Sequence, residues 1–357
     1  MAVPQDAVAS VLEMAIGRIA SSAPVLCVAA LQMLPPREEL LEAGAGQLRW
    51  ACFDLECTGL DLHAEMLQLA ACAGPAPPAS SFSCYVLPPT RRVGAGAEAL
   101  TGLRVEGRGC ARALLDTRSG ERLDALPERA ALLRFVAWLR QLRGAGAGLV
   151  LVSHGAVLLD VPVLLLALRR TGLAEHFAQV VVGFCDSNAV FRSDKSIQKY
   201  SLQHLYGRFV GWRDESHRAE QDAADLFTVL LKYFNTTELS LGEAALARCT
   251  YTTDCMLRHV AWLEWAQPHR APLRRLLARC PQSSARLRKG LLRNLLAAGL
   301  TREALAELRG DPQALRARVQ QQVADMKQRR ESYLTDTADV SAEQVAAVVS
   351  ALLLLPQ

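Results

Sequence analysis

The order of apolar segments between residues 47 and 239 constrains the fold of this chain more than any other feature. Five short strand-like runs occur there, at 49–55, 66–73, 82–87, 149–153 and 180–185. Segments with helical spacing lie between and after the last strands, and a loop rich in Gly, Ala and Arg follows the third strand. Three strands followed by alternating helices and strands predict an α/β fold, with a mixed five-stranded sheet flanked by helices.

Two further regions flank this α/β domain, which is predicted to span 45–240. Residues 1–44 show helical spacing of apolar side chains and predict an N-terminal helical extension. Leu, Ala and Arg dominate 241–335, which is predicted to be all-helical, and 336–357 is expected to be a docking helix. Between 244 and 331 the chain has 17 Lys or Arg against 7 Asp or Glu. This basic region either follows nucleic-acid phosphates or is a packed helical subdomain with solvated arginines.

No stretch of the sequence has the features of a membrane or export segment. No uninterrupted apolar run reaches the roughly 20 residues that a spanning helix needs, and no basic residue precedes the apolar start of the chain. We therefore expect no membrane association, no secretion and a location in the nucleus or cytoplasm, with the ten cysteines as reduced thiols. No two cysteines form a Cys-x-x-Cys pair, which disfavours a zinc knuckle or a redox dithiol.

The first predicted strand carries two acidic residues, Asp54 and Glu56. Side chains alternate along a strand, so both carboxylates point to one face. They repel each other unless a cation neutralises them, and a hard divalent cation is the usual partner of such oxygen ligands. The alternative is an exposed strand with two solvated acids.

A second motif contains His154 and Asp160. Asp160 lies between two apolar runs and either caps the helix that follows or ligates a metal ion. As an isolated observation, the helix cap is the favoured interpretation. His154 ends a strand and is more readily explained as a buried histidine with satisfied hydrogen bonds than as a catalytic group.

A third motif, His217 with Asp222, opens the last helix of the α/β region. Five residues along a helix turn by about 140°, so the two side chains cannot share one helical face. They can serve one site only if His217 lies on the approach loop and Asp222 lies within the helix. Residues 214–216 supply a polar approach of this kind. The alternative is a solvated first helical turn.

The ordered set Asp-x-Glu, then Asp, then His-x4-Asp resembles the DEDDh-type 3′-to-5′ exonucleases over about 50–233. The segments 99–103, 184–187 and 199–202 are similar to those of the three-prime repair exonucleases. A fainter similarity, through 182–184 and 200–205, is to the exonuclease-like C-terminal domain of the promyelocytic leukaemia protein and its stand-alone relatives. One departure is Gly155, where the family often has an asparagine; it bears on substrate binding more than on metal binding.

The resemblance implies a ribonuclease-H-like fold and a 3′-to-5′ exonuclease that uses two metal ions. Single-stranded or frayed DNA is favoured over RNA as the partner, and a homodimer is allowed. Two Mg²⁺ ions, replaceable by Mn²⁺, would be held by four carboxylates beside a histidine general base: Asp54, Glu56, Asp160, Asp222 and His217. The implied substrate-binding residues are Thr58, Gly59, Leu60, His154 and Tyr200. The competing interpretation is a catalytically weak or idle nucleic-acid- or protein-binding module that retains the fold.

Overall fold

A computed structural model describes most of the chain from residue 48 to residue 278. The described residues are 48–74, 81–90, 92–144, 148–155, 159–212, 217–235, 243–278, 292, 296, 301, 302, 304 and 317. The helices predicted in 1–44 and 336–357 lie outside this set, as does most of the basic region beyond 278. The chain divides into one compact unit of residues 37–260 and a second that comprises 1–36 and 261–357.

Nine strands are present in the described part of the chain. They are β1 (Leu48–Cys57), β2 (Met66–Cys72), β3 (Ser81–Leu87), β4 (Leu103–Glu106), β5 (Ala113–Asp116), β6 (Ala125–Pro127), β7 (Gly148–Ser153), β8 (Val181–Asp186) and β9 (Thr250–Thr252). Seven of them form one sheet in the order β6-β3-β2-β1-β7-β8-β9, and β4 pairs with β5 in a separate hairpin. The five predicted strands are the consecutive members β3, β2, β1, β7 and β8.

Helices cover both faces of this sheet. Those in the described residues are α1 (Ala95–Thr101), α2 (Glu128–Arg143), α3 (Asp160–Arg170), α4 (Ala174–Ala178), α5 (Ser187–Arg192), α6 (Leu202–Phe209), α7 (Ala219–Phe234), α8 (Glu243–Ala247) and α9 (Thr253–Ala278). None of them is both long and apolar enough to cross a lipid bilayer. Their order after β6 reproduces the predicted alternation of helices and strands.

The centre of the sheet is parallel and buried on both faces. β7 pairs in parallel with β1 on one side and with β8 on the other. Every residue of β7 is buried, which explains why its sequence is continuously apolar and does not alternate. β2 is antiparallel to β1 and is also fully buried.

The two faces of β1 belong to two different apolar layers. Phe53 and Leu55 pack in the layer that contains α2 and α3. Trp50 and Cys52 pack in the layer that contains α6 and α7. Because side chains alternate along a strand, the even-numbered residues of β1 face α7. This arrangement decides which helix can meet the acidic residues that follow Cys52.

Three parts of the fold differ from the sequence prediction. The predicted loop after β3 contains α1, the β4–β5 hairpin and β6, which pairs in parallel with β3. These elements are three to seven residues long, too short for their periodicity to stand out. β9, in a region predicted to be all-helical, is antiparallel to β8. The sheet therefore includes chain beyond residue 240, the predicted end of the α/β domain.

Candidate active site

Asp54 and Glu56 lie side by side on the α7 face of β1. Both are partly buried, whereas their neighbours Phe53 and Leu55 are buried on the opposite face. In the antiparallel pair with β2, Asp54 is opposite Ala70 and Glu56 is opposite Gln68. The alternation predicted from the sequence is therefore present, and the solvated-strand alternative does not describe these carboxylates.

α7 brings a third carboxylate to the same place. Asp222 lies in the first turn of the helix, which packs its apolar side, including Ala223 and Leu226, on the even-numbered face of β1. One carboxylate oxygen from each of Asp54, Glu56 and Asp222 lies within 4.8 Å of the others. Residues separated by more than 160 positions thus form one acidic cluster.

Asp160 is close enough for its charge to act on this cluster, and it does not cap a helix. α3 begins at Asp160 itself, its N-cap position is Leu159, and no side-chain cap hydrogen bond is present there. The helix-cap interpretation is therefore wrong. The carboxylate of Asp160 instead accepts a short hydrogen bond from the hydroxyl of Ser153, at the end of β7. The charge of Asp160 raises the pKa of Asp54.

Burial and mutual repulsion make these acids hard to ionise in the absence of a cation. The pKa of Asp54 is raised by burial and then by the charges of the three other acids. Burial raises the pKa of Glu56 to about 7, with further increases from Asp222 and Asp160 and opposing effects from Arg218 and Arg118. Burial also raises the pKa of Asp160 to about 7, against the hydrogen bond from Ser153. A cluster of carboxylate oxygens with raised pKa values suits a hard divalent cation, which would stabilise the charged forms.

His217 lies on the approach to α7, as its separation from Asp222 requires. α7 begins at Ala219, and His217 has a left-handed backbone with φ of 44°. Such a conformation is uncommon for a residue with a β-carbon, so neighbouring contacts must hold it. Residues 214–216, the predicted polar approach, lie outside the described residues.

Arg218 and Ala219 anchor this approach segment to three strands. The guanidinium of Arg218 donates to Asp116 Oδ2 at 2.5 Å and to the Tyr85 hydroxyl at 2.8 Å. The Ala219 N–H donates to Gln68 Oε1 at 3.1 Å, and Gln68 is the residue opposite Glu56 on β2. The segment that carries His217 is therefore tied to β2, β3 and β5.

The segment after β1 combines a buried anchor with an exposed apolar side chain. The buried Thr58 accepts a hydrogen bond from the Glu65 N–H at its hydroxyl, at 3.0 Å, and its own N–H donates to the Glu65 carbonyl at 2.9 Å. Gly59 is partly buried, whereas Leu60 is 88% exposed. Thr58 thus fixes the turn that presents Leu60 to solvent.

The imidazole ring of His154 contacts the backbone carbonyl of Tyr200. The two ring nitrogens of His154 lie 2.9 Å from the Ser187 hydroxyl and 2.5 Å from the Tyr200 carbonyl oxygen. Burial lowers the pKa of His154, which favours the neutral ring. The Tyr200 hydroxyl donates to the Ile197 carbonyl at 2.8 Å. These contacts join β7, α5 and the segment before α6, and they engage both ring nitrogens of the partly buried His154.

Four residues that support the site were not singled out from the sequence. Ser153 precedes His154 and Arg218 follows His217, so both lie inside motifs that the sequence had identified. Asp186 lies in the segment 184–187 that resembles the three-prime repair exonucleases, whereas Asp116 carries no such signal. Asp186 caps α5 and accepts from the Gly155 N–H at 3.1 Å, and its charge raises the pKa of Asp160.

Comparison with protein families finds a match over residues 48–208 to the Exuperantia RNAse H-like domain. The fold is ribonuclease-H-like. The matched segment, somewhat less than half of the chain, includes Asp54, Glu56 and Asp160 and ends before His217 and Asp222. Comparison with curated proteins finds no match.

Comparison with solved structures finds exonuclease I proteins. Escherichia coli exonuclease I in complex with a dT13 oligonucleotide has 14% identity and a TM-score of 0.37, covering 51% of this chain and 40% of that one. Exonuclease I from Methylocaldum szegediense has 12% identity and a TM-score of 0.36, covering 85% of this chain and 98% of that one. The chain thus spans about 40% of the length of the Escherichia coli enzyme.

Proposed function

We propose that this chain is a metal-dependent nuclease that removes nucleotides from the 3′ end of a nucleic acid. One observation carries the proposal: the convergence of the Asp54, Glu56 and Asp222 carboxylates, with the charge of Asp160 acting on them. A module that only binds nucleic acid gains nothing from four acids in one place, because they repel both phosphate and one another. In a nuclease the same acids hold cations that offset this repulsion.

The four carboxylates have separate roles in this proposal. By the resemblance to the DEDDh-type exonucleases, Asp54 would be shared by two Mg²⁺ ions, and the charges of the other three acids do act on it. Glu56 and Asp222 would hold one ion and Asp160 the other, with Mn²⁺ able to replace Mg²⁺. When bound, such ions activate a water molecule and stabilise the charge on the leaving oxygen.

His217 would accept the proton of the attacking water. A neutral imidazole is a competent general base near pH 7, provided that it is held in reach of the water. Its left-handed backbone and the anchored residues that follow it, Arg218 and Ala219, give the fixed placement that this role needs.

The terminal nucleotide would lie against the segment after β1. Leu60, with its exposed side chain, would contact the last base, while Thr58 and Gly59 shape the turn beneath it. His154 and Tyr200 would support this surface through their mutual contact. DNA with a single-stranded or frayed 3′ end is the proposed substrate, in keeping with the resemblance to three-prime repair exonucleases. A homodimer stays a prediction.

The test uses 3′- and 5′-labelled oligonucleotides, as single and double strands of DNA and RNA. We expect stepwise shortening from the 3′ end with Mg²⁺ or Mn²⁺, none with chelator, and none with Asp54→Asn. His217→Ala should slow hydrolysis strongly while Mg²⁺ still raises the melting temperature. Binding of the oligonucleotide without shortening under every metal condition would instead support the idle binding module.

A further inference from the structure

A groove of about 650 Å³ lies beside the β4–β5 hairpin. Its walls come from three parts of the chain: Thr90, Arg92 and Val93 before α1, Glu98 of α1, and residues 104–109 with Arg112 of the hairpin. The hairpin turn depends on Gly107, whose φ is 81° and where a β-carbon would lie 2.2 Å from the Ala111 carbonyl oxygen. The turn is therefore tight, and it places Arg108 at the tip of the hairpin.

Four arginines line the groove against two glutamates. Arg104 forms ion pairs with both acids, at 2.9 Å to Glu98 and 3.4 Å to Glu106. Arg112 donates to the carbonyl oxygens of Pro88 and Pro89, at 2.6 and 2.7 Å, which fixes the position of its guanidinium. Arg92 and Arg108 are exposed. The groove is thus positively charged overall, with its two acids already engaged by one arginine.

The groove begins close to the acidic cluster. The N–H of Gly94, directly after the groove residue Val93, donates to the Thr58 carbonyl at 2.9 Å. Thr58 is two residues beyond Glu56, so the two α-carbons are at most about 7 Å apart. On the other side of α1, Arg118 lies over Gly102, and its charge lowers the pKa of Glu56. Positive side chains therefore continue from the cluster around α1 to the groove.

We propose that this groove binds the phosphodiester backbone of the nucleic-acid strand whose 3′ end occupies the candidate active site. The inference rests on the proposed function and extends it, because the groove would hold nucleotides that precede the terminal one. Guanidinium groups bind phosphate oxygens in pairs of hydrogen bonds. None of the described lining residues is aromatic, so binding would depend on phosphates and not on base stacking.

The experiment uses fluorescence anisotropy to measure how tightly the protein binds 20-nucleotide oligo-dT and oligo-U strands. All variants carry Asp54→Asn, which prevents turnover. Arg92→Ala combined with Arg108→Ala removes two exposed guanidinium groups. The matched control is Arg134→Ala with Arg140→Ala, two exposed arginines of α2 that do not line the groove. Melting temperatures verify that all variants are folded.

Loss of two phosphate contacts should lower the slope of log Kd against log salt by about 1.4, since each contact to a single strand contributes about 0.7. This corresponds to binding roughly 20-fold weaker at 0.1 M salt, for both strands. Equal affinity and equal slope for the groove and control variants would overturn the groove proposal. Hydrolysis of a p-nitrophenyl ester of thymidine monophosphate, by wild type against Asp54→Asn, tests the proposed nuclease separately, because this small substrate does not reach the groove.

Discussion

Replacing Glu56 by glutamine should stabilise the metal-free protein while abolishing hydrolysis. The pKa of Glu56 is about 7 in place of 4.5, and burial is the largest cause of this rise. At pH 8 the Glu56 carboxylate is therefore ionised in the folded state, where its charged form is less stable than it is in the unfolded chain. The difference corresponds to about 3 kcal/mol of unfolding free energy.

Direct repulsion has a similar size. Two unit charges 4.8 Å apart interact with about 3.5 kcal/mol at an effective dielectric constant of 20, and the oxygens of Glu56 and Asp222 lie within that distance. The amide of glutamine keeps the shape of the side chain but is itself a buried polar group. We therefore expect Glu56→Gln to raise the unfolding free energy by about 1–3 kcal/mol at pH 8.

The sign of the pH dependence follows from the raised pKa. Below about pH 4.5 the carboxyl group is protonated in both states, so wild type carries no penalty and the variant gains nothing. Between pH 4.5 and 7 the unfolded chain loses its proton first, and wild-type stability falls as pH rises. Above pH 7 the full penalty is present, and so is the full gain of the variant.

Urea unfolding with chelator at pH 5 and pH 8 measures this effect, with Glu121→Gln, at an exposed acid, as the control. Added Mg²⁺ should stabilise wild type more than Glu56→Gln, because the variant has lost a ligand. If Glu56→Gln is no more stable than wild type at pH 8 in chelator, the electrostatic penalty assigned to Glu56 is refuted.

Three further predictions concern residues around the cluster. Arg218→Gln should lower kcat about tenfold or more with little change in oligonucleotide binding, and a double-mutant cycle with Asp116→Asn should show non-additive losses because the two side chains share one hydrogen bond; additive losses would contradict the anchoring role. His154→Ala should lower the urea unfolding free energy by about 1–3 kcal/mol, since the buried Ser187 hydroxyl and the partly buried Tyr200 carbonyl each lose a hydrogen-bond partner; unchanged stability would count against this. Gly183→Ala should destabilise by about 1–3 kcal/mol, because its β-carbon would lie 2.8 Å from a β9 carbonyl oxygen, whereas Gly96→Ala, in open space on α1, should not destabilise in the same thermal melts.

Local periodicity accounts for the parts of the fold that were predicted. The five central strands and the helices α2, α3, α6 and α7 are long or apolar enough for the periodicity of their apolar residues to be recognised in the sequence. Side-chain alternation along a strand predicted that Asp54 and Glu56 share one face. The rotation per residue of a helix predicted that His217 lies outside the helix that carries Asp222. These inferences need only the geometry of one element at a time.

The sequence by itself therefore determined the order of the five central strands and the main helices, the shared face of the two β1 acids and the candidate residues of the cluster. Only the tertiary structure showed that Asp160 does not cap α3 and that its charge acts on Asp54, because the sequence around Asp160 is compatible with either role. It also revealed the bond between Arg218 and Asp116, which are 102 positions apart, and the groove of the β4–β5 hairpin. Contacts of this kind depend on how separate elements pack, and no local pattern in the chain records them.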